Sequence, residues 1–202
     1  MLTLYYMPGA CSLSPHIVLR EAGLDFELVR FDLKSGALEG GADFASINPK
    51  GYVPVLELDD GQRLTEVAAI LQYIADAAPD RHLAPPAGTM ARYRLIEWLH
   101  FLGMEIHKIY WPVFHGAPDD EKDRAREKLG RSFSYVEAQL GDQPFLMGET
   151  FTVADAFLVT VLNWTKPGGI ELGKWPKLRD YRVRIRERAA VGAALDAEGL
   201  RR

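Results

Sequence analysis

The pattern of hydrophobic and polar positions divides the chain into a first part that alternates strands with helices and a second part that is helical. Up to residue 80, short runs of β-branched and aromatic residues predict four strands, at 2–7, 26–33, 53–58 and 62–65. Apolar residues at helical spacing predict helices at 15–22 and 66–78, and the glycine-rich segment 35–46 is predicted to be a loose, partly helical connection. This order is typical of a small sheet with helices packed on it.

Prolines mark the boundary between the two parts. Residues 79–88 contain three prolines and a glycine, which end helices on both sides. We therefore predict an α/β domain at 1–80, a linker at 81–88 and an all-helical domain at 89–202. The helices predicted beyond the linker lie at 89–109, 119–140, 152–164, 176–190 and 192–198.

Two local signals add detail to the helical part. Pro112 is expected to end or kink the helix at 89–109, because proline has no backbone N–H to donate. Thr152-Val153-Ala154-Asp155 resembles a capping box with aspartate in place of the usual glutamate, which predicts a helix start there.

Composition is that of an ordinary globular protein, with 202 residues, 48% of them hydrophobic and 26% charged. The formal net charge of −4 argues against a nucleic-acid partner. The single cysteine excludes an intramolecular disulfide and suits a reducing compartment. The N-terminus reads as a strand rather than a signal peptide, and no apolar run is long enough to span a membrane. We therefore expect a cytoplasmic protein without a membrane partner.

That cysteine, Cys11, follows a predicted strand and a Pro-Gly turn and precedes a predicted helix. Free N–H groups and the dipole at a helix N-terminus favour an anion, so a thiol there can be partly ionised near neutral pH. The segment Cys11-Ser12-Leu13-Ser14 is a C-x-x-C redox motif whose second cysteine is serine. Disulfide chemistry would therefore need an external thiol. A buried structural cysteine stays the alternative.

Two further segments are candidates for binding. A cis bond between Val53 and Pro54 would leave the backbone groups of Val53 open to an extended peptide, although the residues alone favour a trans bond at an edge strand. Glu66 lies where a strand gives way to a helix, so its carboxylate and free helical N–H groups lie together. Such a place suits both charges of a zwitterion, and a simple helix cap is the alternative.

The histidines at 100, 107 and 115 are seven and eight residues apart, or roughly 10 Å along a helix axis. They cannot share an ion through one helix face, so we predict no metal site. His100, Met104, His107 and Trp111 do fall on one stripe, for which packing and active-site lining both stay open. An arginine run interrupted by acidic residues is interpreted as a solvated helix face, at Arg179, Arg182, Arg184, Arg186 and Arg188.

Taken together, these segments resemble a bacterial glutathione S-transferase of the beta class. Motifs in the family's order span nearly the whole chain: Tyr-Tyr-x-Pro-Gly-Ala-Cys-Ser at 5–12, Asn-Pro-Lys-Gly-x-Val-Pro at 48–54, Leu-Thr-Glu at 64–66 and Phe-Thr-Val-Ala-Asp-Ala at 151–156. The resemblance implies a thioredoxin-like N-terminal domain with a mixed four-stranded sheet, an all-helical C-terminal domain and a homodimer.

The resemblance also implies glutathione as co-substrate, with no metal. Cys11 would face the glutathione sulfur and form a mixed disulfide with it, and His107 would line the site near that sulfur. The backbone of Val53, before a cis Pro54, would pair with the cysteinyl unit. Glu66 and the N–H of Val67 would hold the γ-glutamyl end.

Other roles implied by the resemblance lie further from the sulfur. His100, Met104 and Glu105 would contact glutathione across the dimer interface. The electrophile pocket would be lined by Tyr6, Trp111 and Trp164.

Four positions around the ligand depart from the family's pattern. Val67 replaces the usual glycine or serine, so only its N–H is left to bind. Tyr52 and His100 stand where glutamine and asparagine are common. The family often has a lysine near position 36, where this chain has Gly36. Lys34 is the candidate substitute for that lysine.

The leading hypothesis is an enzyme that conjugates reduced glutathione to small hydrophobic electrophiles, with thiol–disulfide exchange through Cys11 as a second activity. The alternatives are a non-catalytic binder of hydrophobic ligands and an interaction protein on the same fold. Cys11 beside Glu66 and Val53-Pro54 counts against the interaction protein, which needs no thiol site.

Overall fold

A computed structural model describes residues 1–201 of the chain. It contains two compact units. The first comprises Met1–Leu83 together with the segment that begins at Ala189, and the second comprises Ala84–Arg188. Among the described residues, no helix combines the length and the apolar character needed to cross a bilayer.

The first unit is built on a mixed sheet. Its strands are β1 (Leu2–Tyr6), β2 (Phe26–Asp32), β3 (Ala37–Leu38), β4 (Val55–Glu57) and β5 (Arg63–Thr65). Their spatial order is β3-β2-β1-β4-β5. The strands β1 and β2 are parallel, and every other neighbouring pair is antiparallel.

The expected number of four strands is wrong by one, because β3 lies in the segment predicted to be a loose connection. Its two residues pair with the end of β2, with Leu38 opposite Phe31 and Ala37 opposite Asp32. A strand of two residues shows no alternation of polar and apolar positions, so its existence depends on the pairing alone.

Three helices pack in the first unit: α1 (Leu13–Ala22), α2 (Val67–Ala77) and α8 (Ala189–Ala197). Gly23 ends α1 in the left-handed conformation, as expected for a C-terminal glycine. The last helix, α8, packs against α1. Its contacts are thus with the first unit, whereas the sequence analysis grouped it with the helical part. The domain boundaries themselves stay a prediction.

The second unit contains α3 (Met90–Phe101), α4 (Trp111–Phe114), α5 (Asp119–Leu140), α6 (Val153–Asn163) and α7 (Pro176–Arg186). The expectation of one regular helix over 89–109 is wrong in its second half. After Phe101 the chain widens into a π-type turn at Leu102–His107 and then tightens into a 3₁₀ turn at Lys108–Tyr110. Pro112 lies in the first turn of α4, where no N–H is required, rather than at a helix end.

The predicted cap of α6 is confirmed, and it is part of a buried network. Asp155 accepts hydrogen bonds from the N–H and hydroxyl of Thr152 at 2.8 and 3.1 Å. The same carboxylate accepts the N–H of Leu146 at 2.7 Å and the hydroxyl of Tyr181 at 2.8 Å. Burial raises the pKa of Asp155, while these four donors act in the opposite direction. The cap therefore also joins α6 to α7 and to the loop before it.

Candidate active site

Three of the predicted binding segments meet at one end of the sheet in the first unit. Because β1 and β5 are both antiparallel to β4, the carboxyl ends of β1 and β5 lie beside the amino end of β4. The loop with Cys11 follows β1, the Val53–Pro54 bond precedes β4, and Glu66 follows β5. Segments that are up to 55 positions apart in sequence are thereby brought to one edge.

Cys11 lies two residues before α1, next to the N-terminus of that helix as predicted. Its side chain is buried, and its Sγ donates a hydrogen bond to the carbonyl of Val53 at 3.5 Å. Ser12 closes the preceding turn, because its hydroxyl accepts the N–H of Met7 at 3.1 Å and donates to the Met7 carbonyl at 3.2 Å. The thiol is thus held against the loop that precedes β4.

The Val53–Pro54 peptide bond is cis. This confirms the expectation drawn from the family resemblance and shows that the trans bond favoured by the residues alone is wrong. Asn48 supports the loop by donating its side-chain N–H to the Tyr52 carbonyl at 2.7 Å. Within residues 1–201 the N–H of Val53 has no acceptor, and its carbonyl keeps a second lone pair beside the bond from Cys11. Both groups are therefore available to an extended peptide.

Glu66 occupies the cap position of α2 with φ at +72°, a conformation that is uncommon and costly for a residue with a side chain. Its carboxylate makes no capping bond to the helix, so the simple cap is not the explanation. Instead, the ammonium of Lys50 donates to Glu66 Oε1 at 2.7 Å and to the hydroxyl of Thr65 at 2.9 Å. The Glu66 carboxylate is thereby paired with Lys50, next to the start of α2.

Lys50 is a candidate site residue that the sequence analysis did not identify. The bond to Glu66 raises the pKa of Lys50, against the smaller opposing effect of desolvation. Lys50 stands in the Asn-Pro-Lys-Gly motif, but nothing in the sequence pairs it with a carboxylate 16 positions later. The pair combines a cation and an anion where a zwitterionic ligand needs both.

A second missed feature is a buried network around Glu198. The Glu198 carboxylate accepts the N–H of Gly9 at 2.9 Å and the Nδ1–H of His16 at 2.8 Å. Arg20 donates to the other ring nitrogen of His16 at 2.9 Å, so the His16 proton lies on Nδ1. The side chains of His16 and Glu198 are both fully buried. The network therefore ties α8 to α1 and to the turn that precedes Cys11.

Tyr6, a predicted pocket residue, lies beside this network, with its ring 6.2 Å from that of His16. Burial raises the pKa of Tyr6, and the charge of Glu198 adds to the shift. Lys34 is exposed, and its N–H is bound by the side chain of Asp32 at 2.9 Å. The roles of Tyr6 and Lys34 stay predictions.

In the second unit, His107 lies at the end of the π-type turn among aromatic rings. Its ring centroid is 5.3 Å from that of Trp164 and 5.9 Å from that of Phe157. Trp164 in turn meets Tyr110 edge-on at 5.4 Å. Two predicted site residues, His107 and Trp164, are thus neighbours in a mostly apolar environment.

The other predicted residues of this unit are not part of that cluster. Trp111 is 61% exposed and stacks on His115 at 3.6 Å. His100 is exposed and bonds to the carbonyl of Ile96 at 2.9 Å, and Met104 is exposed as well. Glu105 forms an ion pair with Lys128 at 3.4 Å. Their exposure is compatible with the predicted contacts across a dimer interface, which stay predictions.

In the part of the chain that the structure describes, no three histidine, cysteine or acidic side chains converge as metal ligands do.

Comparisons with known proteins agree with this geometry. Residues 1–76 match the family model described as glutathione S-transferase, N-terminal domain, and residues 97–189 match glutathione S-transferase, C-terminal domain. The chain is 45% identical over 199 residues to glutathione S-transferase GstA of Escherichia coli O157:H7, a match that covers 98% of this chain and 99% of the relative. The chain belongs to the glutathione S-transferase family of enzymes.

Solved structures of the family share its thioredoxin-like sheet domain and helical domain. A glutathione transferase from Methylococcus capsulatus superimposes with a TM-score of 0.98 at 53% identity, over 100% of both chains. Two sphingomonad structures, a beta-class enzyme from Sphingomonas chungbukensis and a transferase complexed with glutathione, each have a TM-score of 0.95 at 46% identity, covering 98% of this chain and 100% of theirs. One of these structural neighbours is thus a bacterial enzyme of the beta class, the class that the resemblance implied.

We predict that Glu198→Ala lowers the free energy of unfolding by about 3 kcal/mol, because it leaves the fully buried His16 side chain without its acceptor. Denaturation in urea measures the change. Asp196→Ala is the control: it lies on the same segment, in an exposed pair with Arg201, and should cost less than about 1 kcal/mol. Equal losses in the two variants would contradict the stabilising role of the network.

Proposed function

We propose that this protein conjugates reduced glutathione to small hydrophobic electrophiles. The observation that carries the proposal is the convergence of Cys11, Val53 and Glu66 at one end of the sheet in a chain of this family. The sphingomonad relative complexed with glutathione supports the choice of co-substrate. No metal takes part in the proposed reaction.

The proposed binding mode uses backbone and charge together. Glutathione is an extended tripeptide, and its cysteinyl unit would pair with the N–H and carbonyl of Val53 as an added strand does. Its γ-glutamyl end carries an ammonium and a carboxylate. The ammonium would be bound by Glu66, and the carboxylate by Lys50 and the free N–H of Val67 at the start of α2. The loss of a side-chain hydroxyl at Val67 leaves this backbone donor unchanged.

In the proposed reaction, the glutathione thiol loses its proton and the thiolate attacks an electrophilic carbon. A carbon–sulfur bond forms, and the leaving group departs with the bonding electron pair. Stabilisation of the thiolate beside the N-terminus of α1, together with His107 as proton acceptor, would lower the barrier. Tyr6, Trp111 and Trp164 are proposed to line the pocket for the apolar electrophile, and Lys34 to assist glutathione binding.

Cys11 supports a second reaction, thiol–disulfide exchange. A Cys11 thiolate attacks one sulfur of a glutathione disulfide, a mixed disulfide forms, and one glutathione leaves as thiolate. Because Ser14 stands where a resolving cysteine would be, a second glutathione has to reduce the mixed disulfide. This stoichiometry makes the protein a monothiol catalyst.

We also propose that the chain acts as a homodimer. The second unit presents an aromatic face on α3 and α5, where Trp98, Phe101 and Tyr135 pack with centroid distances of 4.9 to 5.9 Å. Tyr135, and Tyr93 on α3, are about half exposed, at 48% and 57%. An exposed aromatic patch of this kind is characteristic of an interface. Membership of the family makes a second copy the proposed occupant, and the reducing environment suited to Cys11 makes the cytoplasm the proposed location.

For glutathione binding, we expect Glu66→Gln to raise the dissociation constant about tenfold or more, because it removes the charge that holds the ligand's ammonium. Calorimetric titration of the reduced protein measures it. Asp59→Asn is the matched control, since Asp59 is an exposed acid at the opposite end of the β4–β5 hairpin. An unchanged dissociation constant in Glu66→Gln, or no saturable binding by the parent protein, would contradict the proposed site.

For the exchange reaction, Cys11→Ser should abolish the protein–glutathione mixed disulfide, because only sulfur can form it. Mass spectrometry after incubation with glutathione disulfide detects the adduct, and the serine keeps a donor for the Val53 carbonyl. Conjugation is followed separately with a nitro-activated aryl chloride. If Cys11→Ala and His107→Ala both conjugate at the parent rate, the enzyme hypothesis loses its catalytic residues and a hydrophobic-ligand binder becomes the better description.

For the dimer, we expect Tyr135→Asp to shift the protein towards monomer in analytical ultracentrifugation, since it places a charge in the aromatic face. Val183→Asp, at an exposed apolar position on α7, should leave the sedimentation unchanged. A parent protein that sediments as a monomer would refute this interface.

A further inference from the structure

Two arginines of α7 share one acceptor at the end of α6. Arg182 and Arg186 are four residues apart and lie on one face of the helix. Arg182 Nε donates to Asn163 Oδ1 at 3.0 Å, and an Arg186 amino group donates to the same oxygen at 2.9 Å. Both arginines are half-buried, so the interpretation of this run as a wholly solvated face is wrong for them. The neutral side-chain oxygen of Asn163 is therefore the shared acceptor of two positively charged side chains.

Two buried donors beside Arg182 lack an acceptor. The side-chain NH₂ of Asn163 and the hydroxyl of Tyr110 are both buried, and neither has a hydrogen-bond partner within residues 1–201. The remaining guanidinium N–H groups of Arg182 have no acceptor among the described residues either, but they are not among the fully buried atoms. Buried polar groups are nearly always satisfied, so two buried donors without an acceptor beside a half-buried guanidinium indicate an electron-rich partner.

Tyr110 cannot turn its hydroxyl towards water. The residue is 1% exposed, and its ring is stacked on Phe114 at 5.5 Å and meets Trp164, the neighbour of Asn163, edge-on at 5.4 Å. Gly168 packs closely beside this ring. A Cβ atom at position 168 would lie 3.1 Å from Cε1 of Tyr110 and 2.9 Å from the Trp164 carbonyl oxygen. The orphaned hydroxyl is thus fixed in position.

The charges around Arg182 also favour an anionic partner. Burial, followed by repulsion from Arg186, lowers the pKa of Arg182, and the Tyr110 phenol acts on it in the opposite direction. Burial raises the pKa of Tyr110 well above its ordinary value, so the phenol remains a hydrogen-bond donor. A negative partner would relieve the repulsion between the two guanidinium groups.

We propose that Arg182, Asn163 and Tyr110 form a binding site for a small tetrahedral oxyanion of the phosphate or sulfate class, with Arg186 adding its charge. A guanidinium binds two oxygens of such an anion through its parallel N–H groups. The Asn163 NH₂ and the Tyr110 hydroxyl supply the neutral donors to the others. The site lies wholly in the second unit and is independent of the proposed conjugation reaction.

The test is titration of the full-length protein with inorganic phosphate, at ionic strength held constant with chloride and with saturating glutathione present. Calorimetry gives the dissociation constant, and Tm is recorded over the same range. We expect saturable binding of one phosphate per chain and a Tm that rises with the logarithm of phosphate concentration. Sulfate in a second series should compete with phosphate.

Two variants locate the site. Arg182→Gln should weaken phosphate binding at least tenfold, and Tyr110→Phe, which removes only the hydroxyl, should weaken it several-fold. Arg179→Gln is the control, because Arg179 is an exposed arginine of the same helix paired with Asp180. It should bind phosphate as the parent does.

Three results would overturn the proposal. One is the absence of saturable phosphate binding by the parent protein. Another is equal weakening by Arg179→Gln and Arg182→Gln, which would indicate general charge attraction. The third is a Tyr110→Phe variant with parent-like phosphate affinity, which would show that the buried hydroxyl does not bind the anion.

Discussion

The carboxylate of Glu198 is the group on which the arrangement of the first unit depends. A carboxylate removed from water has to be met by donors, and here they come from the turn before Cys11 and from α1. Residues near the two ends of the chain are therefore bound to each other, and Arg20 extends the network across the helix. The turn that precedes Cys11 is thus held by a residue 187 positions away from that cysteine in the sequence.

Around the thiol, the connectivity of the sheet brings the candidate functional groups together. Antiparallel pairing of β4 with both neighbours brings three loops to one edge, and each loop supplies a different kind of group. Cys11 provides sulfur, Val53 provides backbone, and Glu66 provides charge. The strained φ of Glu66 is maintained by the pairing of β5 and by Lys50, which together hold the carboxylate away from the helix it would otherwise cap.

The second unit combines apolar surface with a small number of buried polar groups. Rings of Trp164 and Phe157 lie beside His107, and Trp164 in turn meets Tyr110. On the α7 side of the same aromatic group, two arginines converge on Asn163. Trp164, which contacts His107, directly follows Asn163 in the chain, so the two features are adjacent in this unit.

By itself, the sequence determined the elements with long periodic patterns: α5 lies at the predicted 119–140, and the Thr152–Asp155 cap begins α6. Local spacing suffices there, because helices and caps depend on neighbours within four positions. Motifs likewise identified Cys11, Val53 and Glu66. The tertiary structure alone decided the strand β3, the turns after Phe101, Lys50 as the partner of Glu66, and Glu198 as the anchor of the thiol loop. Each of these depends on a contact between distant segments or on a backbone geometry that packing selects, and such pairings leave no periodic signal in the chain.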